Sequence, residues 1–255
     1  MSINRFVEKL AARVFRQSTR LLSRDSLEAM SVQAISRRAN ALPPDEALRL
    51  LFNIDAALYL EEGRHAIRYG DGVHTKHRHM RYHDFFVERI RRDERVLDYG
   101  CGNGAVAYDV ADRAGAHVVG IDAHEKSLNL ARELHGHPHV EYLHADSLER
   151  LPNGRFDAVI LSNVLEHLPD RPAFLRELFE RSGAGRLLVR VPLFERDWRV
   201  PLKQELGVEW RLDRGHETEY LVSDFHAEMA AAGLRVTHIE IHWGEIWAEA
   251  APRLR

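Results

Sequence analysis

A single cysteine, Cys101, occurs in the 255 residues, so no disulfide framework can form within the chain and a reducing compartment is the natural setting. Apolar runs long enough to cross a bilayer are missing, and the first residues alternate apolar side chains with Arg and Lys instead of presenting a signal peptide. The cytoplasm is therefore the expected location, with the face of the inner membrane as an alternative. Internal repeats and low-complexity tracts are lacking too, which excludes solenoid architectures. What remains, at 45% hydrophobic residues, can bury one substantial core plus an appendage.

The formal net charge of −3 conceals an asymmetry. Residues 1–40 carry eight Lys or Arg against three Asp or Glu, which leaves a balance of −8 for residues 41–255. Ile3, Val7, Leu10, Val14 and Leu21 recur at helical spacing, with Arg5, Lys9, Arg13, Arg16 and Arg20 largely off that stripe, so a basic amphipathic helix is expected. Its apolar face is expected to dock on the rest of the chain or on a second copy in a homodimer, with an anionic membrane surface as the alternative. Nucleic acid is not an expected partner, because the arm has no recognised binding motif and the acidic remainder offers no basic groove.

The pattern divides the chain into a helical N-terminal extension, residues 1–75, and an α/β unit, residues 76–255. The extension reads as helix to about residue 62, broken at Ala41-Leu-Pro-Pro44, with Asp45 and Glu46 suited to a helix start. Gly63–Gly72 reads as a loop, and HTKHRHMRYHDFFVERIRRDE as a helix leading into the first strand. From residue 96 onward strand and helix patterns alternate at the spacing of crossover units, which implies a parallel sheet. Two strand-like runs around Gly244 read as a closing hairpin.

The most informative stretch is VLDYGCGNG, residues 96–104. Val96 and Leu97 suit a buried parallel strand, and Gly100, Gly102 and Gly104 permit a tight turn with close backbone approach to a ligand. The spacing is G-x-G-x-G, whereas a dinucleotide pyrophosphate loop reads G-x-G-x-x-G. Asp98 lies inside the turn, where a carboxylate repels a pyrophosphate but accepts hydrogen bonds from an ammonium group or sits beside a sulfonium. A cationic cofactor fits better than a nicotinamide dinucleotide. Cys101 reads as a small turn-filling residue, since no activating partner is evident.

Four further segments follow in order: HVVGID (117–122), VEYLHADSLERL (140–151), FDAVILSNVLEHLPD (156–170) and GRLLVRVP (185–192), and then GHETEYLVSDFHAEMAAAGLRV (215–236). Together with the glycine loop this series resembles the class I S-adenosylmethionine-dependent methyltransferases over roughly two-thirds of the chain. The resemblance implies a doubly wound Rossmann-like sheet of seven strands, the last antiparallel, with S-adenosylmethionine as cofactor and S-adenosylhomocysteine as product. It assigns cofactor contacts to Asp98, Gly100, Cys101, Gly102 and Gly104, to Asp122 at the ribose with Ala123 after it, to Asp146, Ser147 and Leu148 at the adenine, and to Asn163. It also implies a methyltransferase acting on oxygen of a small molecule or glycan, and the KHRHMRYHDFF segment looks similar to enzymes of surface-polysaccharide assembly. A non-catalytic cofactor-binding partner of an assembly complex and a nicotinamide-dependent oxidoreductase are the alternatives.

Methyl transfer from a sulfonium is an in-line displacement, so holding donor and acceptor together supplies most of the acceleration; a hydroxyl acceptor must also lose a proton. Candidate bases are Glu166 and His167 beyond the fourth strand, then His216 beyond the fifth and its 192–219 insertion, which with the extension is expected to roof the acceptor. Arg211, Asp213 and Arg214 stand beside His216 as substrate ligands. The His77, His79 and His83 group reads as a lid or cofactor edge, and HGHPH (135–139) as solvated loop. Some members of the resembled family hold a divalent ion through Glu-x-x-Glu-His and a later His. Here Asn163 occupies the first acidic position and removes one charge, so no metal is expected.

Overall fold

The computed structural model describes residues 3–253. The chain forms two compact units that meet in sequence at Glu62/Gly63. The first unit holds helices α1 (Ile3–Ser18) and α2 (Arg24–Asn40) and the start of α3 (Pro44–Tyr69). The Ser23 hydroxyl caps α2 by accepting the Ser26 N–H at 3.2 Å, and α3 opens on Pro44 with Asp45 and Glu46 in its first turn. The amphipathic helix expected through Leu21 stops earlier, at Ser18, leaving Leu21 88% exposed outside it. Leu10, Val14 and Phe15 are exposed as well, and the side chains of Ile3, Arg5 and Val7 lie outside the described residues. Among the described residues no helix is long and apolar enough to cross a membrane.

Two expectations for the approach to the sheet need correction. Gly63–Gly72 is not a loop: α3 continues to Tyr69, because one interior glycine costs only about 1 kcal/mol and good helix formers surround it. The single helix expected after it is two short ones, α4 (Lys76–Met80) and α5 (Tyr82–Val87), separated by Arg81 at φ 51°. That left-handed residue turns α5 so that Tyr82, Phe85 and Phe86 are buried.

The second unit is built on a seven-stranded sheet in the order β3-β2-β1-β4-β5-β7-β6. The strands are β1 (Arg95–Tyr99), β2 (His117–Asp122), β3 (Val140–His144), β4 (Ala158–Ser162), β5 (Arg186–Pro192), β6 (Leu234–His242) and β7 (Glu245–Pro252). Pairings from β1 to β5 are parallel, while β7 runs antiparallel between β5 and β6. The hairpin turns at Trp243–Gly244, both at positive φ. The seven-stranded sheet with one antiparallel strand thus forms as expected.

Parallel strands covered on both sides are apolar on both sides. One face of the sheet, with Leu97, Val159, Leu161, Leu187 and Val189, packs on Leu175 and Leu178 of the helix Arg171–Ser182 and on Phe225 and Met229 of the helix Val222–Ala231. The other, with Val96, Val118, Ile160 and Leu188, packs on Phe85, Phe86, Val106, Ala107, Val110 and Leu128. After the glycine loop the chain forms α6 (Ala105–Asp109), followed by a wider, π-type turn over Val110–Ala114. The chain order reverses between β1 and β4, and the crevice at the carboxyl ends of these strands is where a doubly wound sheet offers a ligand site.

Candidate active site

Strand β1 delivers Asp98 and the glycine loop to that crevice. Asp98 is 1% exposed, accepts the Ala107 N–H, and keeps Oδ2 buried without a partner. Burial, and after it the nearby Asp122 carboxylate, raises its pKa to about 7. Asp122, ending β2, accepts the Gly102 N–H on Oδ2 at 3.0 Å and the His124 N–H on Oδ1 at 2.7 Å, which ties the loop to the second strand. A Cβ on Gly102, at φ 56°, would meet nothing within 4 Å, so the backbone borders open space. A Cβ on Gly104, at φ 79°, would strike the Tyr142 hydroxyl at 2.3 Å. A buried carboxyl group with one unpaired oxygen, beside an open glycine backbone, fits a ligand that is cationic where it meets Asp98.

The remaining candidate cofactor residues are spread around this loop. Cys101 is buried, and burial pushes its thiol well up, which disfavours the reactive thiolate while the loop stays packed. Ala123 is exposed at the end of β2. Asp146 is exposed and pairs with Arg150 at 3.5 Å, Ser147 is half-buried, and Leu148 is buried. Asn163 follows β4 at φ 57° and donates Nδ2 to Glu166 Oε1 at 2.8 Å.

Glu166, His167 and His216 come together: one ligating atom of each lies within 4.8 Å of the others. Glu166 is fully buried, burial raises its pKa, and Oε2 has no partner. His167 Nδ1 lies 3.1 Å from the Gly215 carbonyl, and the two rings stack edge-to-face with centroids 4.7 Å apart. A carbonyl only accepts, so His167 carries its hydrogen on Nδ1 and the lone pair on Nε2. Two imidazoles and one carboxylate are enough to take a proton or to hold a divalent ion. Arg211 forks onto Glu209 and donates Nη1 to the His216 carbonyl at 2.8 Å, Asp213 accepts the Gly215 N–H, and Arg214 is exposed. In this arrangement Arg211 and Asp213 shape the loop that carries His216.

The third histidine group splits. His79 is exposed. His77 Nδ1 meets the Tyr82 hydroxyl at 3.0 Å, and burial lowers its pKa to about 4. His83 Nδ1 pairs with Asp109 at 2.7 Å, leaving Nε2 buried and unpartnered. HGHPH is not simply solvated: His135 and His137 are half-buried against Tyr108, and His135 Nδ1 donates to the Asn103 carbonyl in the glycine loop at 2.7 Å.

Several polar residues around the site went unread in the sequence. Arg190 on β5 is 5% exposed, forks onto Glu245 at 2.5 and 2.8 Å, donates to Ser162, and lies over the Tyr82 ring at 3.7 Å. Arg190 inside the apolar run LLVRVP was the available signal. Glu219 and Tyr142 were missed too; the first is three residues from His216.

A family model described as "Methyltransferase domain" matches residues 72–239. The ubiquinone biosynthesis O-methyltransferase of Aromatoleum aromaticum is 46% identical over 82 residues, 30% of this chain and 34% of that protein. The protein of the same name from Bradyrhizobium sp. is 35% identical over 121 residues, 46% of this chain and 47% of that one. The chain therefore spans about a third to just under half of these curated relatives' length. Their name points to ubiquinone biosynthesis and does not support the polysaccharide association. Among solved structures, magnesium protoporphyrin IX methyltransferase from Synechocystis PCC 6803 with bound S-adenosylhomocysteine superposes with a TM-score of 0.54 at 21% identity, over 69% of this chain and 84% of that one. A [4+2]-cyclase, SpnF, superposes with 0.52 at 18% identity over 69% and 82%, so these likenesses are of fold alone. The family model covers more than half of the chain, and the chain belongs to the class I S-adenosylmethionine-dependent methyltransferases.

Proposed function

We propose that the protein binds S-adenosylmethionine in the β1–β4 crevice and transfers its methyl group to a hydroxyl oxygen of a small molecule. The observation that carries this is Asp98, a carboxylate sealed in the glycine loop with one oxygen unsatisfied. Leaving such an oxygen unpaired costs free energy that a cationic ligand recovers. The cofactor supplies an electrophilic methyl carbon activated by its sulfonium. On this reading Asp98 pairs with the ammonium, Asp122 with the ribose hydroxyls, and Asp146, Ser147 and Leu148 border the adenine.

His167 and His216, with Glu166 beside them, are the groups to take the acceptor's proton. A phenol, at pKa about 10, loses a proton to imidazole far more readily than an aliphatic alcohol does. That favours a phenolic acceptor of the kind a quinone pathway contains over a glycan, in keeping with the relatives' name. Convergence of two imidazoles and a carboxylate supports a second reading, in which these residues hold a divalent ion. Exposed Leu10, Val14 and Phe15 among Lys9, Arg13 and Arg16 support α1 as a contact for an anionic membrane surface or a second copy.

The test is direct. The purified protein is titrated with S-adenosylhomocysteine and with reduced nicotinamide cofactors, then incubated with S-adenosylmethionine and a panel of catechols, hydroquinones and sugars, with methyl ethers detected by mass spectrometry. Methyl transfer to the phenols is expected; binding of nicotinamides alone would overturn the reading.

A further inference from the structure

Glu219 has a fully buried side chain and draws together three parts of the segment that follows β5. Arg196 donates Nη1 to Oε2, the Leu212 N–H donates to Oε1 at 2.5 Å, and His216 Nδ1 lies 3.1 Å from the same Oε1. Guanidinium and backbone N–H can only donate, so Glu219 acts toward His216 as an acceptor and the hydrogen between them sits on Nδ1. The lone pair of the neutral ring is then on Nε2. His216 is 6% exposed, its ring is braced edge-to-face by His167, and its carbonyl is held by Arg211. Both the tautomer and the aim of this imidazole are therefore set before any ligand arrives.

We infer that Glu219 is a positioning residue for the reaction: it locks His216 in the Nδ1–H tautomer and so makes Nε2, of the two ring nitrogens, the proton acceptor. This rests on the methyl-transfer reading above. The acceptor oxygen forms its bond to the methyl carbon while the pair of the breaking C–S bond returns to sulfur. The hydroxyl proton moves to His216 Nε2, and Glu219 faces the imidazolium that results. Buried carboxylates orient catalytic and metal-bound imidazoles in this way, and loss of such a partner typically costs roughly 10- to 100-fold.

Nitrogen-15 NMR of the histidine side chains in the full chain tests this without an acceptor, the His216 signals being assigned by their loss in His216→Ala. Recorded across pH, the neutral form of His216 is expected to carry its hydrogen on Nδ1 with Nε2 free; a neutral ring with the hydrogen on Nε2 overturns the inference even if methyl transfer is intact. With catechol as the acceptor probe, Glu219→Ala should lower kcat roughly 10- to 100-fold while S-adenosylhomocysteine affinity stays put. The double variant Glu219→Ala/His216→Ala should be no slower than His216→Ala, because Glu219 acts through that ring. Fully additive losses would mark Glu219 as a packing residue and refute the inference. Failure of the wild-type protein to bind S-adenosylhomocysteine or methylate any phenol sinks the functional reading and leaves the tautomer result standing.

Discussion

Replacing Asp98 with asparagine should make the ligand-free protein more stable and a poorer cofactor binder at once. Asp98 is buried with a folded-state pKa of about 7, against an ordinary value of 3.8. Because the folded pKa is raised, the native state holds its proton where the unfolded chain has lost it. Stability therefore falls as pH rises from about 4 to about 7 and stays low above. About three pKa units correspond to about 4 kcal/mol of cost at pH 8, and to about 1.5 kcal/mol at pH 5. Asparagine is neutral, nearly isosteric and still offers an oxygen to the Ala107 N–H. For a chain of this size the Asp98→Asn variant should melt roughly 8 to 16 °C higher than wild type at pH 8, with the gap shrinking toward pH 5. Loss of the charge-assisted bond to an ammonium should meanwhile weaken S-adenosylhomocysteine binding by about 1.5 to 3 kcal/mol, roughly 10- to 150-fold. Calorimetric titrations of the wild type should also show affinity rising about tenfold per pH unit below pH 7 as the carboxyl gives up its proton. A variant that melts lower at pH 8 and binds as tightly as wild type would refute the account.

Asp122→Ala should release the Gly102 and His124 amides and a ribose clamp of two charge-assisted bonds, each worth about 1.5 to 3 kcal/mol; unchanged S-adenosylhomocysteine affinity would locate the ribose elsewhere. His167→Ala or His216→Ala should lower the methyl-transfer rate by roughly 100- to 10,000-fold with cofactor affinity nearly intact, and full turnover in both would remove general-base catalysis from consideration. Dialysis against a chelator should leave the rate unchanged; loss of turnover restored by added zinc or manganese would favour the ion-holding reading of Glu166, His167 and His216. Deleting residues 1–40 should leave a folded cofactor unit, checked by circular dichroism and S-adenosylhomocysteine binding, and should abolish any salt-sensitive co-sedimentation with anionic vesicles.

The sheet was legible in the sequence because parallel strands buried on both faces leave continuous apolar runs, and the glycine turn because Gly100, Gly102 and Gly104 stand between such a run and a helix-forming segment. The placing of Glu166, His167 and His216 beyond the fourth and fifth strands came from the resemblance of their segments to the family's strands. Single-residue signals misled in two places. The stretch Gly63–Gly72 suggested a loop, yet the helix formers around Gly63 carry α3 on to Tyr69. Arg81, unremarkable in sequence, takes a left-handed conformation that splits the expected helix and buries Tyr82. Partners such as Glu219 for His216, or Glu245 for Arg190, come from chain folding back on itself, and spacing says little about pairings of that kind.

Cys101 offers a use that its inertness creates. The thiol is packed against Gly120 of β2, where an added Cβ would lie 3.0 Å from Sγ, and it belongs to the loop that Asp122 anchors. A reagent such as an alkylating maleimide can reach it only when the loop lifts away from the second strand. With no other cysteine in the chain, the modification rate of the unaltered protein becomes a clock for that opening, and the slowing caused by a bound ligand measures how firmly the ligand pins the loop.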